Sequence, residues 1–262
     1  MDFELIWPLT RSEYILSYCC PPNLARTIAQ SSEYVYTVSK DTVWTGLYGA
    51  NEAKFELENG ASFILVQDTD YPWNGEIKFV CKEVKNEVPF RLNIRIPSWV
   101  ANGYISVNGQ RQEIDQSKSG SYEAVTINCP SKDEVVVFFE MKARLSVAHN
   151  MVEENANQAA IEYGPLVYCC ESVDSQLETL DDIMLNLNAT YSPVKIEIEG
   201  RRIQALEANE YAIKREGYDR NALYQTLRFH GFKEEKIRFI PYFAWDNREY
   251  GEMRIWFPVA YK

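Results

Sequence analysis

Histidine is scarce in this chain of 262 residues: only His149 and His230 are present. That argues against a His-based triad and against a multi-His metal site built from this chain alone. The cysteines include no CxxC pair, so the signatures of a thioredoxin-like site and of a zinc ribbon are both missing. No run of 18 apolar residues occurs, so no transmembrane helix is predicted and no membrane partner is expected. The opening MDFELIWPLTRSEY lacks a basic start followed by an apolar core, so no secretory signal is read there. Localisation stays open: cytoplasmic by default, periplasmic if a further segment precedes Met1. Basic residues are the minority, 27 Lys and Arg against 38 Asp and Glu, for a net charge of −11. Phosphate binding needs a basic face, so nucleic acid is not an expected partner.

The apolar content is far too high for disorder, and the length suffices for one large domain or two ordinary ones. The six cysteines are Cys19, Cys20, Cys81, Cys129, Cys169 and Cys170. Two pairs are vicinal, a chain this long needs no staples, and the six are read mostly as free thiols.

One amphipathic helix is evident, from near Pro22 to about Ser31, with Leu24, Ala25 and Ile28 on one face. Thereafter the pattern is of strands: EYVYTVS, SFILVQDT, GEIKFVCKEV, PFRLNIRIPSW, GYISVNGQ, EAVTINCP and DEVVVFFEM, separated by turn signals at 59–60, 71–75 and 108–109. In RLNIRI, Leu92, Ile94 and Ile96 are predicted inward, with Arg91, Asn93 and Arg95 outward; a one-residue slip would bury two arginines. A second β-rich unit begins near Asn150. AIEYGPLVYCCES reads as a strand broken at Gly164-Pro165, LETLDDIML as a short helix, and VKIEIEGRRIQAL as a hairpin about Glu199-Gly200. The C-terminal KIRFIPYFAWDNREYGEMRIWFPVAY reads as two strands joined by DNREYG. Such a mostly β chain, without repeats or a flexible linker, suggests two antiparallel β-sandwiches packed directly together.

The stretch YCCPPNLARTIAQ carries the chemistry. Cys20 and Pro21 each precede a proline and are expected to be extended, placing Cys19 and Cys20 on an extended entry to a helix start. Free N–H groups and the helix dipole favour an anion there, which lowers a thiol pKa. A thiolate is both nucleophile and zinc ligand. The bland alternative is two small buried residues ahead of a capped helix, since free cysteine is commonly buried. Adjacent side chains are also expected to point apart, making the pair alone a poor chelate.

This stretch resembles the CCPPN segment of glycoside hydrolase family 127, the β-L-arabinofuranosidase-like hydrolases. TDYPWNGEIKF, LNIRIPSW, VNGQ, IEYGPLVYC and IPYFAWDNREYGEMRIW are similar to further family segments, in family order, so the resemblance covers essentially the whole chain. It implies an (α/α)6 barrel followed by two β-sandwiches, of which this chain is the C-terminal portion. Residues 1–31 would be the remnant of the catalytic barrel, 32–146 plus a returning 250–262 the first sandwich, and 147–249 the second. The resemblance further implies that Cys19 is the nucleophile, forming a thioglycosyl intermediate with retention, and that Cys19 and Cys20 bind zinc. The remaining zinc ligands, a glutamate and a cysteine, and the acid/base glutamate would come from the barrel upstream. Ser17 stands where many members carry another cysteine. The implied partners are a plant-type arabinofuranoside glycan and the barrel segment. The isolated chain is expected to be inactive or nearly so, to hold little or no zinc, and to self-associate through residues 1–31. The rival reading is a non-catalytic β-sandwich module that binds glycan or protein.

Other residues read more plainly. Cys169-Cys170 lies on a strand, one thiol inward and one outward, and Cys81 and Cys129 read as packing. His149 reads as structural, and His230 has no ligand pattern near it. Trp44, Trp73, Trp99, Trp245 and Trp256 are candidates for stacking on sugar, although tryptophans in β proteins more often fill cores. Glu4 and Glu13, the carboxylates nearest the thiols in sequence, are given no role.

Overall fold

The computed structural model describes residue 11 and residues 17–217, 219, 222–226 and 230–260. Glu4 and Glu13, with about half of the expected barrel remnant, lie outside the described residues. The chain divides into two compact units between Lys142 and Ala143, with Arg11 belonging to the second.

The first unit opens with helix α1 (Cys20–Gln30) and a 3-10 turn, Ser31–Tyr34. Ten strands follow: β1 (Tyr36–Ser39), β2 (Thr42–Thr45), β3 (Asn51–Glu56), β4 (Ser62–Thr69), β5 (Glu76–Lys82), β6 (Phe90–Arg95), β7 (Gly103–Val107), β8 (Gln110–Glu113), β9 (Tyr122–Ile127) and β10 (Glu134–Phe139). They form two sheets, ordered β1-β2-β6-β9 and β3-β4-β5-β10-β7-β8. One apolar cluster draws on both: Leu92, Ile94, Val125 and Ile127 from the first sheet, Phe63, Leu65, Ile77, Phe79, Val135 and Val137 from the second. Each contributing strand supplies alternate residues, as a pleated strand with one buried face must. Leu92, Ile94 and Ile96 are fully buried as expected. At about 1.5–3 kcal/mol for each buried aliphatic, Leu92 and Ile94 within β6 and Ile96 just beyond it resist a slip of register. Asn93 departs from expectation and is buried too. Asn108 and Gly109 both have positive φ and leave Val107 opposite Gln110, the two-residue hairpin that an Asn-Gly pair favours. Gly75, closing the YPWNG turn, has no room for a side chain: a Cβ there would meet the Phe139 carbonyl.

The second unit contains β11 (Ala143–Val147), β12 (Gln158–Tyr163), β13 (Leu166–Glu171), β14 (Ile183–Asn186), β15 (Ser192–Ile198), β16 (Arg201–Ile213), β17 (Phe232–Pro241), β18 (Met253–Arg254) and β19 (Trp256–Ala260). Here the expected sandwich is corrected. Six strands pair in a closed ring, β12-β19-β14-β16-β17-β13 and back to β12. Closure arises because β12 pairs with β19 through Gln158–Ala160 and with β13 through Ile161–Tyr163. All six point alternate residues inward: Ala159 and Ile161, Tyr168 and Cys170, Ile183 and Leu185, Leu206 and Ala208, Ile237 and Phe239, Phe257 and Val259. A closed ring has no free sheet edge, which an open sandwich always has.

Three further expectations change here. The C-terminal strand does not return to the first unit: β18 pairs with β13, and β19 with β12 and β14. Were β19 to undock, the ring would open and its own Phe257, now fully buried, would face water. The division falls at 142–143 rather than 146–147, because β11 pairs with β12. The short helix expected in LETLDDIML is one 3-10 turn, Leu180–Asp182, leading directly into β14. The hairpin about Glu199-Gly200 is present, both residues with positive φ.

The DNREYG connection is held by buried charge. Arg248 donates to Asp174 at 2.8 and 2.5 Å and to Glu171 at 3.0 Å through Nε, while Glu171 also accepts the Asp246 N–H at 2.9 Å. The side chains of Glu171 and Asp174 are 6% and 0% exposed. Removing the cation would strand two desolvated carboxylates. Arg248→Met is therefore expected to destabilise the second unit by about 3–5 kcal/mol in urea unfolding; a loss under about 1 kcal/mol would show that the pairing is not structural.

Inside the ring, Glu210 is 0% exposed. One oxygen accepts the Asn186 N–H at 2.6 Å; the other, and the nearby Tyr191 hydroxyl, have no partner in hydrogen-bonding geometry among the described residues. Burial raises the Glu210 carboxyl above its ordinary range. The fold thus binds a proton that the unfolded chain releases at lower pH. Its stability is complete below the ordinary carboxylate range and falls as pH climbs through that range toward the raised folded value. Glu210→Gln is expected to flatten this decline in thermal melts across pH; identical pH profiles for the two proteins would refute it.

Candidate functional site

The site is built at the start of α1. The helix begins at Cys20 rather than near Pro22, and Cys19 already has helical dihedrals, φ −105° and ψ −53°. The expected extended entry is therefore corrected. Pro21 and Pro22 are accommodated because the first N–H groups of a helix have no partner within it. The pre-proline preference for extended backbone is overcome by Asn23. Its backbone N–H and its side-chain Nδ2 both donate to the Cys19 carbonyl, at 3.2 and 2.9 Å. Arg26 donates to Asn23 Oδ1 at 3.0 Å, which fixes the orientation of that amide. Asn23 and Arg26 were not singled out from the sequence. Their spacing, four residues after Cys19 and three further on, is the signal that could have found them.

This turn brings the two sulfurs together. Cys19 Sγ lies 3.4 Å from Cys20 Sγ and 3.5 Å from Ser17 Oγ. Both cysteines are exposed, contrary to the reading of two small buried residues. The Cys19 thiol is held below its ordinary value, first by the Ser17 hydroxyl, then by the Cys20 thiol, with smaller help from backbone N–H groups. The expected divergence of adjacent side chains does not occur. Two sulfurs on one tetrahedral zinc lie about 3.8 Å apart, for Zn–S bonds near ~2.3 Å, so a separation of 3.4 Å suits a shared ion. Among the described residues no group of three or more His, Cys, Asp and Glu side chains converges. The pair therefore offers half of a four-ligand shell.

Burial separates Cys81, Cys169 and Cys170 from this pair, and Cys129 is half-buried. Cys81 and Cys169 are pushed up to about 12 by desolvation, and Cys170 is raised too. Cys170 points into the ring core, and Cys169 is equally buried on the opposite face of β13. His149 accepts the Met151 N–H at 3.2 Å, a local structural contact, and His230 is exposed. The tryptophans considered for sugar stacking are all half-buried. Trp44 meets Tyr122 edge-on, Trp99 meets Phe139 edge-on, and Trp245 stacks on Tyr242. Arg11 donates to the carbonyls of Phe243 and Trp245.

Comparison with known proteins gives a consistent result. A family model described as "Beta-L-arabinofuranosidase, GH127 middle domain" matches residues 42–141, and "Glycoside hydrolase family 127 C-terminal domain" matches 143–258. The non-reducing end beta-L-arabinofuranosidase of Bifidobacterium longum subsp. longum is 27% identical over 245 residues, 90% of this chain and 36% of that protein. A solved structure of a glycoside hydrolase is 37% identical with a TM-score of 0.89, covering 100% of this chain and 43% of its own. A GH127 beta-L-arabinofuranosidase from Geobacillus stearothermophilus T6 is 28% identical with a TM-score of 0.84, covering 97% and 39%. The chain thus spans well under half the length of these relatives. Cys19 and Cys20 precede both family models.

The lowered Cys19 thiol has a direct consequence. Alkylation of Cys19 by iodoacetamide is expected to persist to lower pH than that of an ordinary thiol, since the thiolate is the reacting form. Ser17→Ala removes the largest cause and should move the profile to higher pH; an unshifted profile would count against the hydroxyl's role. Cys169 and Cys170 should stay unmodified until the fold is opened.

Proposed function

The chain belongs to glycoside hydrolase family 127, as its middle and C-terminal region, and we propose that it is the C-terminal part of a retaining β-L-arabinofuranosidase-like hydrolase with Cys19 as nucleophile. The observation that carries this reading is the exposed sulfur of Cys19, carried on a backbone that Asn23 fixes and facing both Ser17 and Cys20. Most glycosidases use two carboxylates. Here a thiolate would replace one. The Cys19 sulfur attacks the anomeric carbon of an L-arabinofuranoside, and the bond to the leaving oxygen breaks. That oxygen takes a proton from an acid supplied by the N-terminal region of the whole enzyme. Water then displaces sulfur from the same carbon, the acid now acting as base, and the thiolate is restored. Two displacements at one carbon retain configuration.

Cys19 and Cys20 are the residues of this chain that would hold zinc. When bound, the ion would supply positive charge that keeps the sulfur ionised and oriented. Ser17 would keep a donor on the sulfur, and Asn23 would hold the backbone that carries it. The N-terminal region is proposed to be a helical barrel, packed on α1. Leu24 and Ile28 share one face of α1 and are 62% and 65% exposed, and no residue of the helix is buried. A helix of 11 residues is marginal in water unless its apolar face is covered. Left uncovered, that face would drive self-association.

The test is hydrolysis of an aryl β-L-arabinofuranoside. The chain alone is expected to be inactive and to retain little zinc on dialysis. Joined to the N-terminal region found in its longer relatives, it should hydrolyse the substrate with retention. Cys19→Ala should then lower kcat by at least about a thousandfold, as for other nucleophile deletions. Full activity of Cys19→Ala, or inversion at the anomeric carbon, would overturn the assignment. Glycan binding by the chain alone, without hydrolysis in the joined form, would favour a binding module instead.

A further inference from the structure

The described residues supply two sulfurs at the α1 start and no third ligand. For zinc that is half a shell. For a trivalent arsenical carrying one organic group it is a whole one: arsenic then needs two thiolates, set close together at an angle near a right angle, and keeps its own carbon as the third bond. We infer that Cys19 and Cys20 form a dithiol site that captures monosubstituted trivalent arsenicals. The inference uses the same sulfurs as the proposed hydrolase chemistry but none of its steps, so the two can fail independently.

Three observations carry it. The sulfurs are 3.4 Å apart, a separation that one pyramidal arsenic can bridge without moving the backbone. Both are exposed, so the reagent reaches them. The turn beneath them is fixed by two bonds from Asn23 to the Cys19 carbonyl and by Pro21 and Pro22, so little conformational freedom remains to be lost on binding. The chain also contains its own control. Cys169 and Cys170 are equally adjacent in sequence, but a strand sends them to opposite faces and both are fully buried. Adjacency alone does not make the site; the helix start does.

The reaction is a condensation without change of oxidation state. An organoarsenic(III) oxide meets two thiols; two S–H bonds break, two As–S bonds form, and the arsenic-bound oxygen leaves with both protons as water.

The experiment uses phenylarsine oxide on the native chain, read by intact-protein mass spectrometry and by peptide mapping. One arsenical per chain is expected, located on the peptide with Cys19 and Cys20. It should survive excess 2-mercaptoethanol and be released by 2,3-dimercaptopropanol. Cys19→Ser and Cys20→Ser should each weaken retention on the order of a hundredfold or more, the gain expected from two linked ligands. Both side chains are exposed, so both variants should keep the native circular dichroism spectrum, which is checked in parallel. Undiminished retention in either variant, loss of the wild-type adduct to 2-mercaptoethanol, or an adduct on Cys169-Cys170 would each overturn the inference.

Discussion

The carbonyl of Cys19 accepts two hydrogen bonds from Asn23, and the chemistry available to this chain depends on that clamp. Without it, two consecutive prolines would favour extended backbone at Cys20 and Pro21, and successive side chains would then point to opposite sides. With it, Cys19 enters the helical region and its sulfur swings alongside that of Cys20. The prolines cost little, because they occupy positions whose N–H groups a helix cannot use. They also fix φ at two successive residues, which narrows the unfolded ensemble that the clamp must overcome. Asn23, in turn, is oriented by Arg26. A short run of local contacts thus sets the geometry, with no help from a buried core.

The rest of the molecule achieves rigidity by the opposite means. Its first unit closes two sheets on one cluster of alternating apolar residues, and its second closes six strands on themselves. These cores also decide which thiols can react. Cys169 and Cys170 are sealed by burial, Cys81 is raised to about 12, and Cys19 is lowered by donors at the surface. Desolvation disfavours a thiolate and hydrogen-bond donors favour one. Burial and surface donors thus set the Cys19 sulfur apart from Cys81, Cys169 and Cys170 without any disulfide. Charge follows the same logic: the carboxylates of Glu171 and Asp174 can be buried because the half-buried Arg248 pairs with both.

The sequence made local features legible and left long-range ones hidden. Alternation in RLNIRI placed Leu92, Ile94 and Ile96 correctly, and the Asn108-Gly109 and Glu199-Gly200 turns follow from residues that tolerate positive φ. Ring closure was not readable. It rests on Gln158–Ala160 meeting Trp256–Pro258, a pairing across some hundred residues that no periodicity encodes. The same blindness assigned the last strand to the wrong unit. At the site, CCPPN drew attention to two residues whose sulfurs the fold sets side by side, but it implied the wrong backbone. The pre-proline rule is a local preference, and a side-chain clamp two to four residues downstream reversed it. Arg248 was invisible for a related reason: its carboxylate partners lie 77 and 74 residues away.

Two deficits coincide at α1. Its N-terminal sulfurs offer half of a zinc shell, and Leu24 and Ile28 leave its apolar face in water. Either could be made good separately, the first by solvent ligands and the second by self-association. A packing partner that supplied two further ligands would make good both at once. On the proposed reading, metal binding and helix docking then become linked equilibria. Zinc that binds the docked form more tightly must stabilise docking by the same free energy, because the coupling is reciprocal. The metal would act as a staple between the β-rich region and the helical one as well as a charge beside the nucleophile. That double use accounts for a site held by exposed local contacts: a half-shell buried in a finished core could not wait for its other half.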